Sequence, residues 1–232
     1  MKVTIRSGFE KQEASAPGVR VFIDVFRAST TILTLCRREV ADILVANDQA
    51  TINALLSQDY RLVSEVIQGG YDNSPTRLAT APIAGERIAL RTTNFTTALE
   101  ANAAPGPMLI AAYNNLPAVA GWIQAEAPEW VEIIPCGNMI SRKHTVEDRD
   151  CARLLKAVLE SGDPDLPWDF SVVMEEVARV KRDHPERGDH YAQDILFATG
   201  YGISAILPRA RELEPGLYRV DWRNGKSAGT MI

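Results

Sequence analysis

The sequence predicts an α/β protein: a largely parallel or mixed sheet flanked by helices, with a helix-rich C-terminal part. Three observations carry this. Short apolar, β-rich runs alternate with amphipathic helical stretches, the pattern of strand–helix–strand crossovers. The chain has 232 residues, 46% of them hydrophobic, which suits one large domain or two small ones and excludes wholesale disorder. After Gly162 the alternation gives way to helical stretches with more charge, punctuated by Pro164, Pro167, Pro185 and Pro208.

The expected strands are residues 19–26, 42–46, 61–66, 87–92, 108–113 and 131–136, with helices at 30–38, 48–56, 96–101, 116–125 and 147–160. The first strand is a near-continuous apolar run that delivers Asp24 to a strand-to-helix turn. Asn115 precedes Leu116 and Pro117, an N-cap followed by a first-turn proline. Thr145 precedes Glu147 and Asp148, acids that suit the positive end of a helix. Ala152, Leu155, Val158 and Leu159 then mark one apolar face. In the tail, 169–182 and 190–199 read as helices with Gly200 as a stop, and 217–222 as a final strand. This divides the chain into an α/β core at 1–162, carrying the reactive residues, and a helix-rich subdomain or cap at 163–232.

A net charge of −5 does not favour nucleic acid or an anionic membrane as partner, and no stretch approaches the ~20 apolar residues of a membrane span. Cys36, Cys136 and Cys151 fit neither a zinc site nor a disulfide framework, and the N-terminus lacks the apolar run of a signal peptide. A reducing cytoplasm is the expected location. A homo-oligomer is compatible with the sequence, although no feature fixes it.

In open α/β sheets ligands bind at the carboxyl ends of strands. Reactive residues gather at those positions: Asp24, Arg27, Ser29 and Thr30 after the first strand, and Glu65 after the third, leading to Asn73 and Ser74. Thr93 and Asn94 follow the fourth, Asn114 the fifth, and Cys136-Gly137-Asn138 the sixth, leading to Glu147 and Asp148. A carboxylate, a cation and hydroxyls at a helix start are the parts needed to hold a metal ion and an anionic group. Each also has a plainer reading. Asn73-Ser74-Pro75 suits an ordinary turn, Thr92-Thr93-Asn94 and Asn114-Asn115 suit helix caps, and Glu147 and Asp148 suit the helix dipole. His144 lies in a basic loop, and His184 and His190 sit among charges in the tail. Dinucleotide, P-loop and hydrolase-elbow glycine motifs are missing from the sequence.

Together these segments resemble the 2-phosphosulfolactate phosphatase family. Asp24-Val25-Phe26-Arg27-Ala28-Ser29-Thr30-Thr31 is similar to its Asp-Val-x-Arg-Ala-Thr-Thr signature. Asp72-Asn73-Ser74-Pro75 is similar to its Gly-Asn-Ser-Pro loop, Thr92-Thr93-Asn94-Phe95-Thr96 to Thr-Thr-Asn-Gly-Thr, and Glu147-Asp148-Arg149-Asp150-Cys151-Ala152 to Glu-Asp-x-x-Cys-Ala. The order agrees as well. The resemblance implies a magnesium-dependent phosphatase that takes a small phosphorylated acid, and a place in coenzyme M biosynthesis. Carried over by motif, Asp24, Arg27, Asn73, Ser74, Thr93, Asn94, Glu147 and Asp148 become site residues.

On this reading Asp24 is the principal Mg2+ ligand, with Glu65 or Glu147 as a further carboxylate. Arg27 and the amides around Ser29 and Thr30 hold phosphoryl oxygens, while Thr93 and Asn94 orient the substrate. The sequence also departs from the family. Phe95 and Asp72 replace glycines, and Arg153 replaces a third. Phe95 is expected to narrow the pocket or change its lining. These departures motivate an alternative, a non-catalytic metabolite-binding relative of the same fold. A third reading makes Cys136 the nucleophile of a metal-independent hydrolase.

Overall fold

The computed structural model describes residues 1–10, 18–183 and 188–223. His184 and Pro185 lie outside the described residues. In chain order the elements are β1 (Lys2–Ile5), β2 (Val19–Ile23), α1 (Ala28–Arg37), β3 (Asp42–Ala46), α2 (Gln49–Leu56), β4 (Tyr60–Ser64) and α3 (Pro75–Thr80). They continue with β5 (Arg87–Arg91), α4 (Phe95–Asn102), β6 (Met108–Ala111), a 3-10 turn (Tyr113–Asn115), α5 (Leu116–Glu126), β7 (Trp130–Pro135) and α6 (Val146–Ser161). The described residues close with α7 (Ser171–Asp183), α8 (Gly188–Ala198), β8 (Arg209–Glu214) and β9 (Leu217–Asp221). The α/β prediction holds. β1, α3 and β8 were not anticipated.

The nine strands form one mixed sheet in the order β1-β7-β2-β6-β8-β9-β3-β5-β4. Strands β1, β7, β2 and β6 pair in parallel, as do β3, β5 and β4. Between these halves sits the C-terminal hairpin, antiparallel at each of its junctions. Gly216, at φ +82°, makes its turn without the penalty a side chain would bring. The last strand therefore completes the middle of the sheet.

Three successive antiparallel pairings reverse strand direction between the halves. In a flat sheet the carboxyl ends of β2 and β5 would lie on opposite edges. Here they open onto one cavity, so the sheet must curl. The core shows the curl directly. Phe22, Ile110 and Ile134 of one half share a buried cluster with Ile43, Ile88 and Leu90 of the other, with Ile32 and Leu35 of α1 and Ala98 and Leu99 of α4 among them. A second cluster packs α5 and α6 on the far face of the first half, and a third packs α2 on the far face of the second. Strands covered on both faces must be apolar throughout. β2 is buried at all five positions, and its one charge, Arg20, is paired with Glu132 at 3.1 Å.

The helices that reach the site are set by local chemistry. Asp24 serves α1 in place of a conventional cap: its Oδ1 accepts from the Ala28 amide at 3.1 Å, and its carbonyl accepts from the Ser29 amide at 2.8 Å. Ser74-Pro75 begins α3, with the Ser74 hydroxyl accepting from the Arg77 amide and proline in the first turn. Gly162, at φ +76°, ends α6. Helix α8 packs on α3 and α7, and α7 packs on α6. The C-terminal helices thereby close over the carboxyl ends of the strands.

Candidate active site

A cavity of about 580 Å3 opens where β2, β4, β5 and β7 end. Its walls include Asp24, Arg27, Glu65, Asp72, Asn73, Thr93, Asn94 and Asn138, with Phe26, His190 and Tyr191 on the side of α8. A second cavity of about 540 Å3 adjoins it and shares Phe26, Asn94, Asn138 and Tyr191. Glu147 lines this second space.

Asp24 is buried at 4% exposure. Burial pushes its carboxyl up to about 7, aided by Glu65 and Glu147 and opposed by the Ala28 amide and Arg27. Glu65 is fixed by two donors, the Thr93 amide at 2.6 Å and Asn73 Nδ2 at 2.9 Å. Among the described residues the Asn73 side-chain oxygen is then left buried without a partner. Asn94 Oδ1 accepts from the Met139 amide at 3.0 Å, which ties the loop after β7 to the start of α4.

Arg27 lies between two carboxylates. Its Nη1 is 3.2 Å from Asp72 Oδ2 and 3.3 Å from Asp194 Oδ2. Asp194 is fully buried and also accepts from Ser74 Oγ at 2.8 Å and the Thr76 amide at 3.0 Å. Asp72 is 31% exposed at the cavity wall. Asp194 is thus the fixed anchor of the guanidinium, and Asp72 its accessible partner.

The cavity wall carries three carboxylates, Asp24, Glu65 and the Arg27-paired Asp72, and, among the described residues, a buried amide oxygen without a donor. Among the described residues, no three His, Cys, Asp or Glu side chains converge as a metal cage. Hard oxygen donors in small number suit Mg2+, which usually keeps several waters and takes one or two carboxylates. The donor set therefore fits such a cation, with Asp24, Glu65 and Asn73 as the residues that would hold it.

A family model described as 2-phosphosulpholactate phosphatase matches residues 6–202. The chain belongs to the 2-phosphosulpholactate phosphatase family. A relative from Symbiobacterium thermophilum is 32% identical over 206 residues, 84% of this chain and 83% of its own length. One from Thermoplasma acidophilum is 28% identical over 184 residues, 75% of this chain and 80% of its own. The match to a Thermosynechococcus vestitus protein, 31% identical, spans 60% of each chain. Each carries the name "Probable 2-phosphosulfolactate phosphatase".

Of the residues the sequence singled out, Asp24, Arg27, Glu65, Asn73, Thr93 and Asn94 meet at the first cavity of this family member, and Glu147 at the second. The others stand behind them. Ser29 Oγ accepts from the Asp24 amide at 3.0 Å, and Thr30 Oγ1 donates to the Val25 carbonyl at 2.8 Å. Asp148 accepts from the amides of Val25 at 2.8 Å and Gly137 at 2.9 Å, joining the ends of β2 and β7. Burial, then Asp24 and Glu147, push its carboxyl up against those two amides. Ser74 supports Asp194, and Asn114 Nδ2 donates to the carbonyls of Phe197 and Gly200.

Two expectations are corrected. Phe95 is fully buried in the cluster between the sheet halves and lines neither cavity. Cys136 is also fully buried, and burial, then Asp24 and Asp148, push its thiol up. A thiol held protonated and out of reach is no nucleophile. Asp194 and Tyr191 were not proposed as site residues, and Asn138 was named only with Cys136 and Gly137 at the end of the sixth strand, without a role. The signal for Asp194 was a carboxylate spaced with Tyr191, Ile195 and Ala198 on the inward stripe of α8.

Proposed function

We propose that this chain hydrolyses the phosphate monoester of a small acidic metabolite resembling 2-phosphosulfolactate, with Mg2+ as cofactor. One observation carries the reading. In a chain of this family, Asp24, Glu65 and the unpartnered Asn73 oxygen share a cavity with Arg27. Carboxylates and a guanidinium in one cavity provide for a cation and for the anion it accompanies.

Arg27 binds phosphoryl oxygens through a guanidinium already oriented by Asp194. Thr93 and Asn94 line the same wall and orient the ester. Asp24 and Glu65, with Asn73, hold the cation, whose bound form supplies charge stabilisation at the phosphoryl group. Phe26 and Tyr191, edge to face with ring centroids 4.5 Å apart, cover the guanidinium side of the cavity and limit water there. The products are inorganic phosphate and a hydroxy acid, sulfolactate where the substrate is 2-phosphosulfolactate. Among the described residues no helix is long and apolar enough to cross a membrane. A cytoplasmic place and a role in coenzyme M synthesis belong to the proposal.

The test is phosphate release from a panel of phosphorylated hydroxy acids, with and without Mg2+. Magnesium-dependent release from 2-phosphosulfolactate or a close analogue is expected. Release that persists in Asp24→Asn would overturn the site. One observation favours the alternative of a metabolite-binding relative: Asp72, where the family motif has glycine, already occupies Arg27. That reading expects ligand binding without release of phosphate from any ester.

A further inference from the structure

The two adjoining cavities carry opposite charge. Among the described residues, the first is lined by the carboxylates of Asp24, Glu65 and Asp72, with Arg27 held between Asp72 and Asp194. The second is lined by Lys143, His144 and Arg179, with one carboxylate, Glu147. Arg179 also pairs with Asp183 at 3.4 Å across one helical turn.

A second observation on that wall is independent of the charges. Thr145 lines the second cavity, and among the described residues its hydroxyl is buried without a hydrogen-bond partner. The same residue is the N-cap of the 16-residue helix α6, yet its side chain caps no amide. A buried hydroxyl left unpaired is costly unless something outside the protein satisfies it.

We infer that the second cavity is a subsite for an additional anionic group on the substrate, a sulfonate or carboxylate, bound by Lys143, His144, Arg179 and the Thr145 hydroxyl. This rests on the phosphatase reading and deepens it. The phosphate lies with Arg27 and the cation, and the acid end extends past Asn94 and Asn138, which border both spaces. Glu147 stands at the same wall and disfavours an anion placed close to it, so the acid group belongs on the Lys143 side. The enzyme should then select phosphate esters by their second charge.

Three esters separate the possibilities: glycerol 2-phosphate, with no second anion, 2-phosphoglycerate, with a carboxylate, and 2-phosphosulfolactate, with a carboxylate and a sulfonate. The wild type should show kcat/KM rising along this series. The Lys143→Met, Thr145→Val double variant should shrink the preference for 2-phosphosulfolactate over glycerol 2-phosphate by about tenfold, the scale of a lost charge-assisted contact. A rise at the first step alone assigns the subsite to carboxylate, and a rise at the second assigns it to sulfonate. A flat series, or a double variant that slows all three esters equally, overturns the subsite. If the wild type hydrolyses none of the esters, the phosphatase reading fails separately. Calorimetric titration of the wild type with sulfolactate and with 2-propanol, which lacks both acid groups, then decides the subsite. Tighter binding of sulfolactate, lost in the folded double variant, supports it, and equal binding overturns it.

Discussion

Two buried carboxylate sites in the same parallel half of the sheet are built in opposite ways. Glu132 of β7 is 3% exposed and meets two arginines: Arg6 Nε at 2.7 Å and Nη2 at 2.8 Å, and Arg20 Nε at 3.1 Å. Burial alone would raise its carboxyl, but Arg6 and then Arg20 outweigh it and hold the group below its ordinary value. Asp24, equally buried, faces Glu65 and Glu147 with a single guanidinium, and rises to about 7. Burial is common to both sites. What differs is the sign of the surrounding charge, cationic around Glu132 and anionic around Asp24. The first arrangement is complete within the chain. The second leaves negative charge that the proposed cation would neutralise, which is the condition of a site rather than of a scaffold.

Exchanging each carboxylate for its amide separates the two roles. Asp24→Asn should lower turnover by about 10³-fold or more, the scale of a lost transition-state charge contact. Its unfolding midpoint should be unchanged or higher, because the amide oxygen still accepts from Ala28 and a repelled charge is removed. Glu132→Gln should do the reverse. Two buried arginines lose their counter-charge, at a cost of about 3–5 kcal/mol in folding stability, while the folded fraction keeps its activity. Urea titration and phosphate-release kinetics on both variants check this pair. Equal destabilisation by the two substitutions would break the comparison.

Acid sharpens the same contrast. Glu132 binds its proton more weakly in the folded chain than in the unfolded one, so the unfolded state takes up a proton first as pH falls. Its stabilisation is present above the ordinary glutamate value of 4.5 and is lost as pH drops through the lower folded value. The stability gap between wild type and Glu132→Gln should therefore be level near neutrality and shrink below about pH 4.5. A gap that widens in acid would reverse the assignment.

Arg27 and Asp194 form a third case, a buried carboxylate with one cation. Asp194→Asn keeps an acceptor for Ser74 and the Thr76 amide but removes the charge that orients Arg27. We expect KM to rise about tenfold with a smaller change in kcat, the pattern of weakened ground-state anchoring. A variant that merely loosened the fold would lower the active fraction and leave KM alone.

The parallel halves were legible in the sequence because strands buried on both faces must read as apolar runs, as β2 and β7 do. Of the central hairpin only β9 was legible, as the final strand expected at 217–222. β8, Arg209–Glu214, buries only Ala210 well, so it carries no apolar alternation, and its partner β6 lies some hundred residues earlier in the chain. β1 is four residues long and half-exposed, too short for a periodic signal. Ser74-Pro75 reads equally well as a turn or a helix start, and only packing against α8 decides. In the site, residues at strand ends were visible because topology gathers them. Asp194 comes from a helix more than a hundred residues after Ser74, and its role depends on α8 docking on α3. Sequence order alone could not show that.

Phe95 offers the smallest test and the one most sensitive to where the site ends. Its position beside Asn94 suggests a pocket residue, yet its ring is packed among Ile32-side and β5-side residues between the halves of the sheet. A substitution there should be felt by the core and not by the substrate. Phe95→Leu keeps an apolar side chain of nearly sufficient volume and should cost about 1 kcal/mol in stability. KM for every ester in the series should stay within twofold, roughly the resolution at which a binding contact begins to register. A clear change in KM, with stability intact, would place Phe95 in the pocket after all and move the boundary between scaffold and site to the first turn of α4.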